Sequence, residues 1–268
     1  MLVIGEKINA TSKRVAEAIV NKDAAFIGGL ARQQVDAGAD YIDVNTSTGQ
    51  GLNQEIADLK WAIDVVHQAV HAPLCLDSSD PQALAAAAAH YSGGELMINS
   101  VNAEPERLEP IGRVAAEREA GVIALVMGEG GIPRTVDERV AAADLIMDHL
   151  KRLGVKQEQV YFDPLVLPIS VDTDQGLVTL QTIEHIKSRY PSAKTVVGLS
   201  NVSYGLPQRG IINRSFLLMA AAVGLDAAIL DPTDARMMSM VKVSDMLTGK
   251  DPACKGFIKA HRKGILVE

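Results

Sequence analysis

Cysteine is nearly absent from this chain: two occur in 268 residues, Cys75 inside an apolar run and Cys254 near the C-terminus. Two thiols so placed form neither a disulfide framework nor a CxxC pair. Aromatic residues are scarce as well, at 4%, so any core must be built from Ala, Val, Ile and Leu. Positive charge is in deficit, with 26 Lys and Arg against 33 Asp and Glu and a formal charge of −7. That balance argues against the clustered basic face of a nucleic-acid-binding surface. It does not exclude an anionic small molecule, because local donors can outweigh net charge. No apolar run approaches the ~20 residues needed to cross a bilayer. The first strand-like segment begins at Leu2, which leaves no room for a signal peptide, and a soluble cytoplasmic protein is expected.

Two familiar nucleotide signatures are missing too. No GxGxxG turn follows the first strand-like run, and the Gly-rich stretch GEGGIP at 128–133 lacks the GK[ST] of a phosphate loop. The stretch reads instead as a mobile loop over a barrel mouth. No Pro/Ser-rich linker or shift in composition divides the chain, so a single domain over 1–268 is expected.

What the chain does have is rhythm. Apolar residues make up 47% of it, gathered in short near-continuous runs at 2–8, 41–45, 73–78, 95–101, 121–127, 160–167, 194–200 and 225–230. Such runs are the mark of strands buried on both faces. Helical patterns lie between them, at 53–70, 81–90, 106–119, 135–152, 174–189, 213–223 and 234–247, and residues 252–263 read as a final solvent-facing helix or tail. Asp80-Pro81 is a cap and first-turn signal ahead of the Ala run at 85–89. Eight strands, each followed by a helix, predict a (β/α)₈ TIM barrel, whose site is built at the C-terminal ends of the strands.

Those ends carry Glu6 and Asn9, Asp43 and Asn45, Asp77, Asn99 and Asn102, Met127, Asp163, Asn201 and Asp231. None of the six histidines (67, 71, 90, 149, 185 and 261) is among them, so Ser-His-Asp and Cys-His chemistry lack their base. His67 and His71, four apart on a predicted outer helix, have zinc-compatible spacing but no third ligand, and no metal is expected in this chain. Asp80 and Asp231 read as turn formers and caps. Asp43, inside YIDVN, is either structural support or part of the site, since a buried carboxylate needs donors. Asp77, Asn99, Asp163 and Asn201 each close an apolar run on one rim and read as functional. A carboxylate accepts two N–H bonds at once, and an Asn amide offers one donor and one acceptor. Together they suit a 2-amino-4-oxo pyrimidine edge, as in a pterin or purine. That chemistry stops short of a reaction.

The segments MLVIGEKIN, YIDVN, LCLDSS, MINSVNAE, YFDPLVLP and VVGLSNVSYG…INRSF together resemble the methyltetrahydrofolate:corrinoid (iron-sulfur) protein methyltransferase family. The resemblance runs from residue 1 to about residue 250. It implies a pterin-binding, dihydropteroate-synthase-like TIM barrel that moves a methyl group between N5 of tetrahydrofolate and a corrinoid cobalt, in a direction the residues do not set. On this resemblance Asp77, Asn99 and Asp163 are pterin-binding, and Gly198 and Ser200 are contacts at strand seven. Asn201 is the catalytic residue that reaches N5. Arg209 is a basic position serving folate or corrinoid. Glu6, Asp43, Asn45, Asn102 and Tyr204 are further candidates. The chain has no DxHxxG signature, so its cobalamin would come on a separate corrinoid protein docked transiently at the barrel mouth, and a homodimer is implied. Two alternatives stay open. Dihydropteroate synthase shares the pterin barrel, but its strand seven ends in G-x-S-R-K, where this chain reads GLSNVS. A non-catalytic folate-binding protein would need the pterin residues but not Asn201.

Overall fold

A computed structural model describes residues 1–267. Eight parallel strands close into a barrel in sequence order: β1 (Leu2–Asn9), β2 (Tyr41–Asn45), β3 (Leu74–Asp77), β4 (Leu96–Val101), β5 (Gly121–Leu125), β6 (Val160–Asp163), β7 (Lys194–Gly198) and β8 (Ala227–Leu230). β8 pairs back onto β1, matching Leu2 with Ala227 and Ile4 with Ile229. Closure removes both edges, so every strand has a ladder on each side. The expected TIM barrel is the fold.

The helices are α1 (Lys13–Val20), α2 (Ala24–Asp36), α3 (Leu52–Ala69), α4 (Pro81–His90), α5 (Pro105–Glu117), α6 (Val136–Arg152), α7 (Gln175–Arg189), α8 (Arg209–Ala222), α9 (Ala235–Leu247) and α10 (Lys255–Arg262). Asp80 caps α4 as its sequence suggests, with its carboxylate accepting from the Gln82 and Ala83 amides. The helix expected after the first strand is divided in the structure into α1 and α2. The first is a single short amphipathic stretch, and the second carries the Gly28-Gly29 pair, which weakens a helical pattern.

Two further expectations change. The sixth apolar run reaches residue 167, but β6 stops at Asp163. Pro164 cannot donate to a ladder, and Leu165 adopts a left-handed backbone with φ of 65°. His71 lies beyond the end of α3, in the loop before β3, so it does not share a helix face with His67. The GEGGIP stretch is a hydrogen-bonded turn, closed by the Gly131 amide on the Gly128 carbonyl at 2.8 Å. It is pinned behind by a 3.0 Å bond from Arg139 Nε to the Pro133 carbonyl.

The barrel interior holds one cluster with a single residue from each strand: Ile4, Tyr41, Cys75, Met97, Ile123, Tyr161, Val196 and Ala227. The opposite faces of the same strands pack outward against the helices in two larger apolar clusters. Every strand is therefore buried on both sides, which is why its sequence is apolar without alternation.

Candidate functional site

Side chains alternate across a strand, so the residue two places beyond an inward one also points inward. Two residues on from the interior cluster stand Glu6, Asp43, Asp77, Asn99, Leu125, Asp163, Gly198 and Ile229. The barrel thus passes from an apolar plug to a largely polar layer in one pleat. Six of these eight, Leu125 and Ile229 apart, are candidates named from the sequence. The order of the ladders sets neighbours: Asp77 lies in register with Asn45 on one side and Asn99 on the other.

Polar contacts link the layer. Asn45 Nδ2 donates to Asp77 Oδ2 at 3.0 Å, and Asn99 Nδ2 to Asp43 Oδ1 at 3.4 Å. Burial pushes the Asp43 carboxyl well above its ordinary range, and the neighbouring Asp77 charge adds to that push. Burial raises Asp77 as well, opposed by its bond from Asn45 and the charge of Arg107. Asp163 is pushed up to about 6 by burial, although the Leu165 amide donates to its Oδ1 at 2.8 Å and Arg139 pulls the other way. Carboxylates held out of water without full partners are poised to accept N–H donors from a ligand.

Glu6 and Asp231 close the remaining side. Burial and the Asp231 charge raise Glu6. For Asp231 burial acts in the same direction, but bonds from Lys7 Nζ at 2.7 Å and from Thr233 outweigh it and hold the carboxyl low. Asp231 is the turn former read from sequence, and it is also a wall of the cavity. Asn102 is buried, and its Oδ1 accepts from the Glu104 amide at 3.1 Å, a turn contact.

The cavity over this layer has a volume of about 890 Å³, and Glu6, Asp43, Asp77, Asn99, Ser200 and Asp231 are in its lining. A second hollow of about 500 Å³ shares Asp77 and is lined by Asn45, Asn102 and Arg107. A third, of about 240 Å³, brings Asp163, Asn201 and Tyr204 together with Ile132 of the Gly-rich turn. The mouth therefore assembles residues spread from Glu6 to Asp231.

β7 ends at Gly198 and passes into one 3₁₀ turn, Leu199–Ser203, that presents Asn201 to solvent and to the third hollow. A Cβ at Gly198 would stand 3.2 Å from Asn201 Nδ2, tighter than ordinary contact. Glycine lets the amide fold back against its own strand. Arg209 reaches this turn rather than the cavity: its Nη2 donates to the Ser200 carbonyl at 2.7 Å and its Nε to Ser203 Oγ at 3.0 Å. Tyr204 is 66% exposed, and its carbonyl accepts from Ser170 Oγ at 2.7 Å.

Three residues escaped the sequence reading. Arg139 is fully buried and donates to the carbonyls of Pro133, Pro164 and Leu165 and to Gln175 Oε1. It ties the loops after β5 and β6 together beneath Asp163. Arg107 donates to the carbonyls of Ser78, Ser79 and Ser100, clamping the loop after β3 to the end of β4 beside Asp77. Glu55 accepts from Ser47 Oγ at 2.6 Å and from Ser78 Oγ. A signal existed for Arg139, which precedes the buried Ala142, Ala143 and Ile146 by 3, 4 and 7 positions. An arginine on the apolar stripe of a helix needs buried carbonyls to bind.

Comparison with known proteins follows the same lines. A family described as pterin binding enzyme matches residues 5–231. The methylcorrinoid:tetrahydrofolate methyltransferase of Eubacterium limosum is 35% identical over 266 residues, covering 98% of this chain and 97% of that protein. The methionine synthase of Mycobacterium leprae is 34% identical over 243 residues, 86% of this chain but only 20% of that much longer protein. Among solved structures, the dihydropteroate synthase from Xanthomonas albilineans in complex with 7,8-dihydropteroate superposes with a TM-score of 0.72. It covers 92% of this chain and 93% of that one, at 17% identity, a likeness of fold alone.

Proposed function

Because the chain belongs to the pterin-binding enzyme family, we propose that it is a methyltransferase acting between N5 of tetrahydrofolate and the cobalt of a corrinoid carried by a separate protein. The observation that carries this reading is the end of β7. There a neutral amide, Asn201, faces the hollow it shares with Asp163, no Lys or Arg is in the lining of that hollow, and Arg209 is bonded to the turn itself. A site that must hold a departing pyrophosphate needs free cations at this place, so the geometry favours methyl transfer over pteroate synthesis.

In this reading Asp77, Asn99 and Asp163 hold the pterin edge. The carboxylates accept its N–H groups, and the Asn99 amide pairs donor with acceptor. Gly198 and Ser200 supply close backbone approach. In the direction away from folate, Co(I) supplies an electron pair to the methyl carbon, the C–N5 bond breaks, and its electrons return to N5. A neutral tertiary amine is a poor leaving group, so N5 must gain a proton or a strong hydrogen bond. Asn201 donates that bond, and it strengthens only as charge gathers on N5. In the opposite direction the methyl passes to N5, the cobalt keeps the bonding pair, and N5 releases its proton. Asp43, Asn45 and Asn102 brace the pterin residues, while Glu6 and Tyr204 border the approach. Arg209 acts through the turn it holds.

Several finer statements belong to the same proposal. The open barrel mouth is the docking face for the corrinoid protein, and the contact is transient. The family resemblance supports a homodimer. Among the described residues no helix is long and apolar enough to cross a membrane.

The test is methyl exchange between 5-methyltetrahydrofolate and free cob(I)alamin, followed by the change in corrinoid absorbance in both directions. Transfer in either direction supports the proposal. Tight folate binding without transfer would reduce the protein to a folate-binding module, and condensation of a pterin pyrophosphate with p-aminobenzoate would make it a pteroate synthase.

A further inference from the structure

The 890 Å³ cavity does not end at the pterin layer. Beyond Glu6 it continues outward as a groove between α1 and α2, where Arg14, Phe26, Gly29, Leu30 and Gln33 line it. A cavity of this size falls in the range for a whole drug-sized ligand, roughly 300–1,000 Å³, rather than one bicyclic ring. Two features of the groove have no account in the packing of the protein.

The first is Gly29. A glycine within a helix costs about 1 kcal/mol relative to alanine. Its neighbour Gly28 has a structural reason, since a Cβ there would stand 3.3 Å from Ala69 Cβ on α3. A Cβ on Gly29 would meet nothing within 4 Å. The space above it belongs to the cavity. The second is Arg14. Its guanidinium lies 4.7 Å from the centre of the Phe26 ring, which holds it over the groove, and no carboxylate among the described residues pairs with it. Across the cavity stand Glu6, Asp43 and Asp77, while Asp231 is already paired with Lys7. An elongated ligand with a pterin at one end and an anion at the other would lie along this cavity.

We propose that the α1–α2 groove receives the p-aminobenzoyl-glutamate tail of the folate, its arene against Phe26, Leu30 and the bare face of Gly29 and its glutamate carboxylate at Arg14. The assignment rests on the folate reading above and adds where the enzyme distinguishes a folate from a bare pterin. Phe26 and Leu30 supply the apolar wall an arene needs. Arg14, already oriented by its ring, loses little freedom on pairing with a carboxylate.

The experiment compares 5-methyltetrahydrofolate with tail-free 5,6-dimethyltetrahydropterin as methyl donors to free cob(I)alamin, together with direct binding of the two demethylated compounds by fluorescence. The wild type should show a lower KM and Kd for the folate. Arg14→Gln should shrink that preference about fivefold, the size of one partly exposed charge pair. Gly29→Trp, which fills the groove from a position with no protein neighbour, should shrink it at least as far. A wild type with no preference for the tailed compound overturns the proposal, as does a preference that survives both substitutions. So does an Arg14→Gln effect confined to the KM for cob(I)alamin, which would mean that the groove serves the corrinoid. Loss of transfer and binding with both donors in the wild type would instead overturn the folate reading on which the proposal rests.

Discussion

Lowering the pH should weaken folate binding through one identifiable carboxyl. In the proposed pterin site Asp163 must be ionised to accept two N–H bonds, and its buried position raises its titration to about 6 in the unliganded protein. Such a group is almost fully ionised at pH 7.5 and about one-tenth ionised at pH 5, so binding should weaken about tenfold across that window, or ~1.4 kcal/mol. The sign is fixed by which form binds: affinity is complete above pH 6 and is lost as pH falls through it. Asp77 and Asp43 are raised by burial too, and the folate itself titrates. The measurement is therefore the ratio of dissociation constants for wild type and Asp163→Asn, determined by fluorescence titration at each pH, in which those other contributions cancel. The ratio should be large at pH 7.5 and shrink about tenfold by pH 5. A ratio constant from pH 7.5 to 5 would refute the argument, because Asp163 would then bind without regard to its charge.

The same burial predicts that Asp163→Asn stabilises the unliganded protein. A carboxyl raised from 3.8 to about 6 on folding opposes folding by roughly 1–3 kcal/mol above pH 6 and not at all below about pH 4, so thermal melts at pH 7.5 should rise and melts near pH 4 should not. Asn201→Ala should lower the methyl-transfer rate at least about tenfold, by one transition-state hydrogen bond of ~1.5–3 kcal/mol, while changing folate affinity less than Asp163→Asn does. Equal losses of rate and affinity would make Asn201 a binding contact only. Gly198→Ala places a Cβ 3.2 Å from Asn201 Nδ2 and should reduce kcat severalfold with a small change in melting temperature. Arg139→Met strands the carbonyls of Pro133, Pro164 and Leu165 and should cost about 3 kcal/mol or more in urea unfolding.

Much of the barrel was legible because its signals are local. Each strand is an apolar run ended by a polar residue, and each helix between them carries an amphipathic period, so the count of eight followed from counting. Asp77, Asn99 and Asp163 stood out because they terminate such runs. α2 did not, because its Gly28-Gly29 pair spoils the helical pattern. The end of β6 was misplaced for a related reason: Leu165, Val166 and Leu167 read as strand, although Pro164 and the left-handed Leu165 turn the chain away.

The sequence by itself determined the strand count, the polar rim and the lack of a rim histidine, since all of these depend on residue type and short-range spacing. Tertiary structure decided the rest. Only barrel closure sets Glu6 beside Asp231, 225 positions later, or draws Asp163 and Asn201 to one hollow. Only burial raises the rim carboxyls, and only the folded loops show that Arg107 and Arg139 hold carbonyls while Arg209 props the β7 turn. The physical reason is distance along the chain. Periodicity reports which face a residue occupies within its own element, but desolvation and charge coupling depend on neighbours brought from elsewhere.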